Sequence, residues 1–225
     1  MSTILTMNTT PKLIAFDIYD TCLEIKNLDN PYKQLFRNLR IVDTQKQLKN
    51  ALITSSAPLE EIITKLYPEA LFRKESEKQQ LFSTFYRNLA LELDSIVPYP
   101  DTISTLEKIQ QQRYKTACVS NLAQPYVAPV REQLSGLFDY EVFSCEQQIK
   151  KPDPALFQHL AKISGVPTQE MMMVGNSLKS DVEGAKLSQM QGILINRKNA
   201  GIQQYPGYLS ISCLSDLLEI LERKG

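Results

Sequence analysis

Four polar clusters in this sequence stand directly after short apolar runs, and each carries side chains able to do chemistry. The first is Phe16-Asp17-Ile18-Tyr19-Asp20-Thr21. A carboxylate leaving a hydrophobic strand can attack an electrophile or bind a cation. The second, Val119-Ser120-Asn121, offers a hydroxyl and an amide for hydrogen bonding. The third, Lys150-Lys151-Pro152-Asp153-Pro154, holds a cation in a rigid turn at a helix start. The fourth is Val174-Gly175-Asn176-Ser177, with Asp181 five residues after Asn176. Taken singly, each reads equally well as a turn, a cap or a loop. Their order and shared placement group them into one candidate site.

Such a site needs a scaffold that brings distant segments to one edge. Compact apolar runs at 13–16, 116–119, 140–143, 171–174 and 192–195 suit strands buried on both faces of a parallel sheet, with 208–212 a weaker strand. Helical patterns lie between them. Ile103, Leu106 and Ile109 mark a helix over 102–112, with Asp101 placed to cap it. Another opens at Asp153-Pro154, with Pro154 in its first position and Gly165 past its end. Further helices are expected at 179–188 and 214–221. Alternating strands and helices predict an α/β, doubly wound parallel sheet. Ligands of such sheets bind beyond the carboxyl ends of the strands, where the four clusters fall.

One region breaks the alternation. Between Ile25 and Val97 no strand pattern appears, and helices are expected at 31–39, 45–53, 59–66 and 75–93. In the last, Leu81, Phe82, Phe85, Leu89 and Leu93 form an apolar stripe that packs this module's own core. Pro98-Tyr99-Pro100 marks the return. The expected division is a core of residues 1–25 and 98–225 with a helical module, 26–97, inserted after the first strand.

The 225 residues suffice for one core plus a small insert. Lys+Arg and Asp+Glu number 25 each, so no net field draws the chain to nucleic acid or a membrane surface. Cys22, Cys118, Cys145 and Cys213 fit no zinc or redox spacing and read as mostly buried free thiols, which suits a reducing, cytoplasmic setting. No apolar run approaches the roughly 18–20 residues that span a bilayer. The opening MSTILTMNTTP lacks a basic region and a long apolar stretch, so it reads as a short tail with Met7 as an alternative start, not as a signal peptide.

The four clusters, in this order, resemble the four motifs of the haloacid dehalogenase-like superfamily, and the likeness runs from Leu13 to Leu221. Its first motif, Asp-x-Asp-x-Thr, is matched by Asp17, Tyr19 and Thr21; its second, a strand-end Ser or Thr, by Ser120. Its third, a Lys often followed by Pro, is matched by Lys151; its fourth, Gly-Asp-Ser with a later Asp, by Gly175-Asn176-Ser177 and Asp181. The insert resembles the family's C1 cap. The resemblance implies a Rossmann-like core, a nucleophile at Asp17, and Lys151 orienting it and balancing charge. It further implies Thr21 and Ser120 bonding a small anionic substrate, with Asn121 as a helper.

Two positions depart from the family's phosphatases. Tyr19 stands where the second Asp would protonate the leaving group, a role worth roughly 10²–10⁴-fold. Asn176 stands where the fourth motif supplies an Asp to magnesium. Asp17, Asn176 and Asp181 are the metal candidates, with affinity weakened by the neutral amide. Asp20 is one residue out of register for the acid role. The resemblance extends to 2-haloacid dehalogenases, which share the Tyr and the Ser-Asn pair, release a halide without a proton and need no metal. Their cap-side Arg could be matched by Arg37 or Arg40, but Phe157 stands where they have Tyr. Three readings follow: a phosphate ester or anhydride hydrolase for good leaving groups, which is favoured; a dehalogenase; and a fold retained for binding without turnover. His159, within the helix after Lys151, is assigned no role.

Overall fold

The computed structural model describes residues 10–222. The N-terminal tail and Met7 fall outside them, apart from Thr10 and Pro11. Strand β1 (Leu13–Phe16) is followed by short β2 (Leu23–Ile25). Four helices come next: α1 (Pro31–Asn38), α2 (Gln47–Ile53), α3 (Leu59–Leu66) and α4 (Glu75–Leu93). Then come β3 (Ile96–Pro98), α5 (Thr102–Gln111), β4 (Lys115–Ser120), α6 (Val127–Gln133), β5 (Tyr140–Phe143) and α7 (Ser144–Gln147). Helix α8 (Pro154–Ser164) leads to β6 (Met171–Gly175). A π-helical stretch, Leu178–Glu183, runs into α9 (Gly184–Leu187). Strands β7 (Gln191–Ile195), β8 (Gln203–Tyr205) and β9 (Tyr208–Ile211) precede α10 (Ser215–Glu222).

Seven strands form one sheet in the order β5-β4-β1-β6-β7-β9-β8. All neighbours are parallel except β8 and β9. Successive side chains of a strand point to opposite faces. Ile14, Phe16, Cys118, Met172 and Val174 therefore pack with residues of α5, α6 and α10. Leu13, Ala15, Ala117, Val119, Met171 and Met173 pack on the other face against Leu156, Phe157 and Leu160 of α8. This two-sided burial is why the strands read as continuous apolar runs. The sheet is thus the expected doubly wound one, with an antiparallel edge. Cys22, Cys118 and Cys145 are buried free thiols, and Cys213 is half-buried.

Several elements differ from expectation. Strands β2 and β3 pair antiparallel, Leu23 opposite Pro98, and form a two-stranded stem on which the helical insert stands. At three residues each they give no periodic signal. Strand β8, similarly short, and helices α6 and α7 also lie in segments without a pattern. Asp101 does not cap α5. Its carboxylate is held instead by Arg197, at 3.0 Å, and by the backbone N–H of Leu214. The helix expected over 179–188 opens with the π turn. Helix α8 follows expectation: Asp153 accepts from the Ala155 N–H at 2.9 Å, and Gly165 closes the helix with φ 68°.

The insert has its own core, including Leu35, Leu48, Ile63, Phe85 and Leu89, and this core continues onto Ala123 and Tyr126 after β4. Lys150 also donates to the Asn50 side chain of α2. Among the described residues no helix is long and apolar enough to cross a membrane.

Candidate active site

The carboxyl ends of β1, β4 and β6 are adjacent, because β1 pairs with both of the others. Asp17 directly follows β1, and its N–H donates to the Val174 carbonyl at 2.9 Å. Ser120 ends β4 and donates through Oγ to Asp17 Oδ1 at 3.0 Å. Lys151 reaches in from the turn before α8. Its Nζ donates to Asp17 Oδ1 at 2.8 Å and to the Val119 carbonyl at 2.6 Å, and pairs with Asp181 Oδ1 at 2.7 Å. Asp181, on the π turn, accepts from the Ser177 N–H through Oδ2 at 2.9 Å. Asp17 Oδ1 thus takes both hydrogen bonds. Oδ2 meets no partner among the described residues, and the side chain keeps 13% exposure.

Glycine and an amide build this cluster. A Cβ on Gly175 would lie 2.3 Å from Asp181 Oδ2, so only glycine lets that carboxylate fold against the end of β6. Asn121 grips the Lys151 backbone from both sides: Nδ2 donates to its carbonyl and Oδ1 accepts from its N–H, each at 2.8 Å. Burial alone would push the Lys151 ammonium down, but Asp17 and Asp181 outweigh it and hold its pKa above the ordinary value. Burial also raises the Asp181 carboxyl, with Lys151 opposing and Asp17 adding to the rise.

Tyr19 does not point its hydroxyl at the cluster. It donates to the Tyr126 carbonyl at 2.9 Å, and its ring meets Tyr126 edge-on at 5.6 Å. Burial raises the phenol's pKa. Tyr126 in turn donates to Glu92 Oε1 at 2.6 Å. The buried Glu92, near the end of α4, also accepts the Asp29 and Asn30 N–H groups at 2.9 and 2.8 Å. One hydrogen-bonded chain therefore joins the segment after β1 to the linker entering the insert. Neither Glu92 nor Tyr126 was identified from sequence. Glu92 left one signal: it extends the apolar stripe of α4 three residues beyond Leu89.

The Thr21 hydroxyl is fully buried and meets no partner among the described residues, while its carbonyl accepts from Arg197 at 2.6 Å. Asp20 is exposed at φ 61°, and partial desolvation followed by the charge of Asp17 pushes its carboxyl up. Asn176 is exposed at the tip of β6. Phe157 is buried in the core under the sheet, and His159 is half-buried on α8. Arg37 and Arg40 do not touch Asp17. They line a cavity of about 1230 Å³ between insert and core, which Tyr19 and Asn121 border on the side of the cluster.

Of the metal candidates, Asp181 has both oxygens engaged. Asp17 Oδ2 and the Asn176 amide oxygen remain, one carboxylate and one neutral hard donor. Magnesium accepts such a set when substrate oxygens and water complete its shell. Among the described residues no group of three or more His, Cys, Asp or Glu could hold a metal alone.

A family model described as haloacid dehalogenase-like hydrolase matches residues 11–188. The phosphoglycolate phosphatase of Pseudomonas syringae pv. tomato is 26% identical over 182 residues, covering 78% of this chain and 66% of that protein. The matched regions span 40%, 66% and 55% of the length of three curated phosphatases. Among solved structures, a HAD phosphatase from Thermococcus onnurineus is 28% identical, with TM-score 0.61, covering 93% of this chain and 97% of that one. A 2-haloacid dehalogenase from Pseudomonas syringae pv. Tomato DC3000 reaches TM-score 0.67 at 20% identity, covering 96% and 100%, and shows the fold alone. With the family model spanning most of the chain over this sheet and its strand-end cluster, the chain belongs to the haloacid dehalogenase-like hydrolases.

Proposed function

We propose that the chain hydrolyses phosphate monoesters or anhydrides whose leaving groups depart without a proton, with Asp17 as nucleophile. One observation carries this reading: Tyr19, at the general-acid position, gives its hydroxyl to the Tyr126 carbonyl, while Asp17 keeps a free oxygen beside Lys151. Asp17 Oδ2 attacks phosphorus; the Oδ2–P bond forms, the P–O bond to the leaving group breaks, and the leaving group departs as an anion. Water then attacks the aspartyl phosphate and retains both protons on the released phosphate, which regenerates the carboxylate. Lys151 holds Oδ1 and balances charge, with Ser120 fixing the rotamer. Asn121 acts through Lys151 as a positioning residue. The helical insert serves as a cap that limits water over the site. Asn176 would supply its amide oxygen to magnesium, with water and substrate oxygens completing the shell once Asp17 Oδ2 is engaged as the nucleophile, and the metal when bound would screen the phosphoryl charge.

The curated relatives are named as phosphatases, which favours phosphate, while the similar solved structures include both a phosphatase and a dehalogenase. A 2-haloacid is the second reading, because a halide also leaves without a proton. The test is hydrolysis of an aryl phosphate, an acyl phosphate and a 2-chloroacid by the protein and its Asp17→Asn variant, each with and without magnesium. Phosphate release that falls at least about 10³-fold in the variant is expected, as for loss of a covalent nucleophile. Chloride release without metal would replace this reading with dehalogenation. No turnover of any substrate by a folded protein would leave a binding module.

A further inference from the structure

The cavity that Tyr19 and Asn121 border, on the side of the Asp17 cluster, has room for more than a two- or three-carbon phosphate. It measures about 1230 Å³, above the roughly 300–1,000 Å³ typical of sites for drug-sized ligands. One wall is a run of touching aromatic rings. Tyr19 meets Tyr126 at 5.6 Å, Tyr126 meets Tyr32 at 6.4 Å, and Tyr32 meets Phe36 at 6.1 Å between centroids. The run starts two residues from Asp17 and ends in α1. Arg37 and Arg40 also line the cavity, and both are exposed. Among the described residues no carboxylate forms an ion pair with either.

These features meet the missing proton donor. A sugar or glycerol phosphate must expel an alkoxide, and without an acid that step is slow. A phenol ionises near 10, so a phenolate leaves unassisted far more readily. The same choice that relieves the chemistry supplies a flat ring for the aromatic wall, where offset or edge contacts are favourable. The unpaired guanidiniums at the same cavity suit a second anionic group, which Arg binds in two-pronged fashion.

We infer that the substrate is an aryl phosphate whose aromatic body lies along Tyr19, Tyr126, Tyr32 and Phe36 and carries a second acidic group toward Arg37 and Arg40. This rests on the hydrolase reading and narrows its substrate class. The reacting phosphoryl group sits at Asp17 and the phenolate leaves into the cavity.

The full-length protein is assayed on 4-carboxyphenyl phosphate, phenyl phosphate, 2-phosphoglycolate and glyceraldehyde 3-phosphate. Binding of 4-carboxyphenylphosphonate and methylphosphonate, which are not hydrolysed, is measured by calorimetry. The carboxyaryl ester should exceed both small aliphatic esters in kcat/KM by at least about tenfold, a margin one charge-assisted contact provides. Its preference over phenyl phosphate should collapse, through KM, in the Arg37→Gln, Arg40→Gln double variant. The carboxyaryl phosphonate should bind at least about tenfold more tightly than methylphosphonate. Equal or better turnover of the small aliphatic esters, still dependent on Asp17, overturns the aryl class and leaves the hydrolase reading intact. A double variant with an unchanged preference overturns the role of the two arginines. Tight arylphosphonate binding with no turnover of any ester supports the pocket assignment and overturns the hydrolase reading.

Discussion

At the scale of single residues the site turns on one ammonium shared by two carboxylates. Lys151 lies within hydrogen-bonding distance of Asp17 and Asp181, so the buried trio carries one net negative charge when all three are ionised. Burial therefore pushes Asp181 toward its protonated form, even beside Lys151. The sign follows from linkage. A raised folded pKa means that the native state binds the proton more tightly, so this stabilisation is fully present below the ordinary value of about 3.9 and fades as pH rises through the raised one. Asp181→Asn should remove that part of the dependence. Urea unfolding of both proteins from pH 4 to 7 should show wild-type stability falling relative to the variant as pH rises; a constant difference, or one of opposite sign, would sink the assignment. Asp17, Ser120, Lys151 and Asp181 were legible in the sequence because each follows a buried strand or opens a helix. The grip of Asn121 on the Lys151 backbone was not, since it joins segments 30 residues apart.

At the scale of elements, the junction between sheet and insert depends on the Glu92 carboxylate, which pairs with no cation among the described residues. Glu92 fixes the linker backbone at Asp29 and Asn30 and receives the Tyr126 hydroxyl. Removing an acceptor from part-buried donors costs about 1 kcal/mol per group left unpaired, because water can replace part of the bond. Glu92→Ala should thus destabilise the fold by on the order of 3 kcal/mol. It should also speed amide exchange at Asp29 and Asn30 more than in the strands, and exchange that stays slow at those two amides would show that the linker is held otherwise. The elements that sequence revealed are those with a period to reveal: buried strands, and helices with an apolar stripe. Strands β2, β3 and β8 escaped because three residues form no pattern and their pairing is set by distant partners.

At the scale of the whole molecule, insert and core meet along the same rings that line the cavity. The insert was visible as a break in the strand–helix rhythm, but this contact was not, because Tyr126 lies in a three-residue 3-10 turn too short to show a period. Restoring the family's acids tests the arrangement. Asn176 is exposed, so Asn176→Asp should change stability by less than ~0.5 kcal/mol while tightening magnesium, read by calorimetry. Tyr19→Asp should cost about 2–3 kcal/mol through the lost ring contact and hydrogen bond, lowering Tm by roughly 5–10 °C for a chain of this size. A Tm within a degree of wild type would refute that cost. Tyr19 instead braces the junction and walls the cavity. Substitution at such a site works against itself. A single change to an acid at position 19 loosens the structure that would have to aim it, so installing a working acid there requires Tyr19 and Tyr126 to change together.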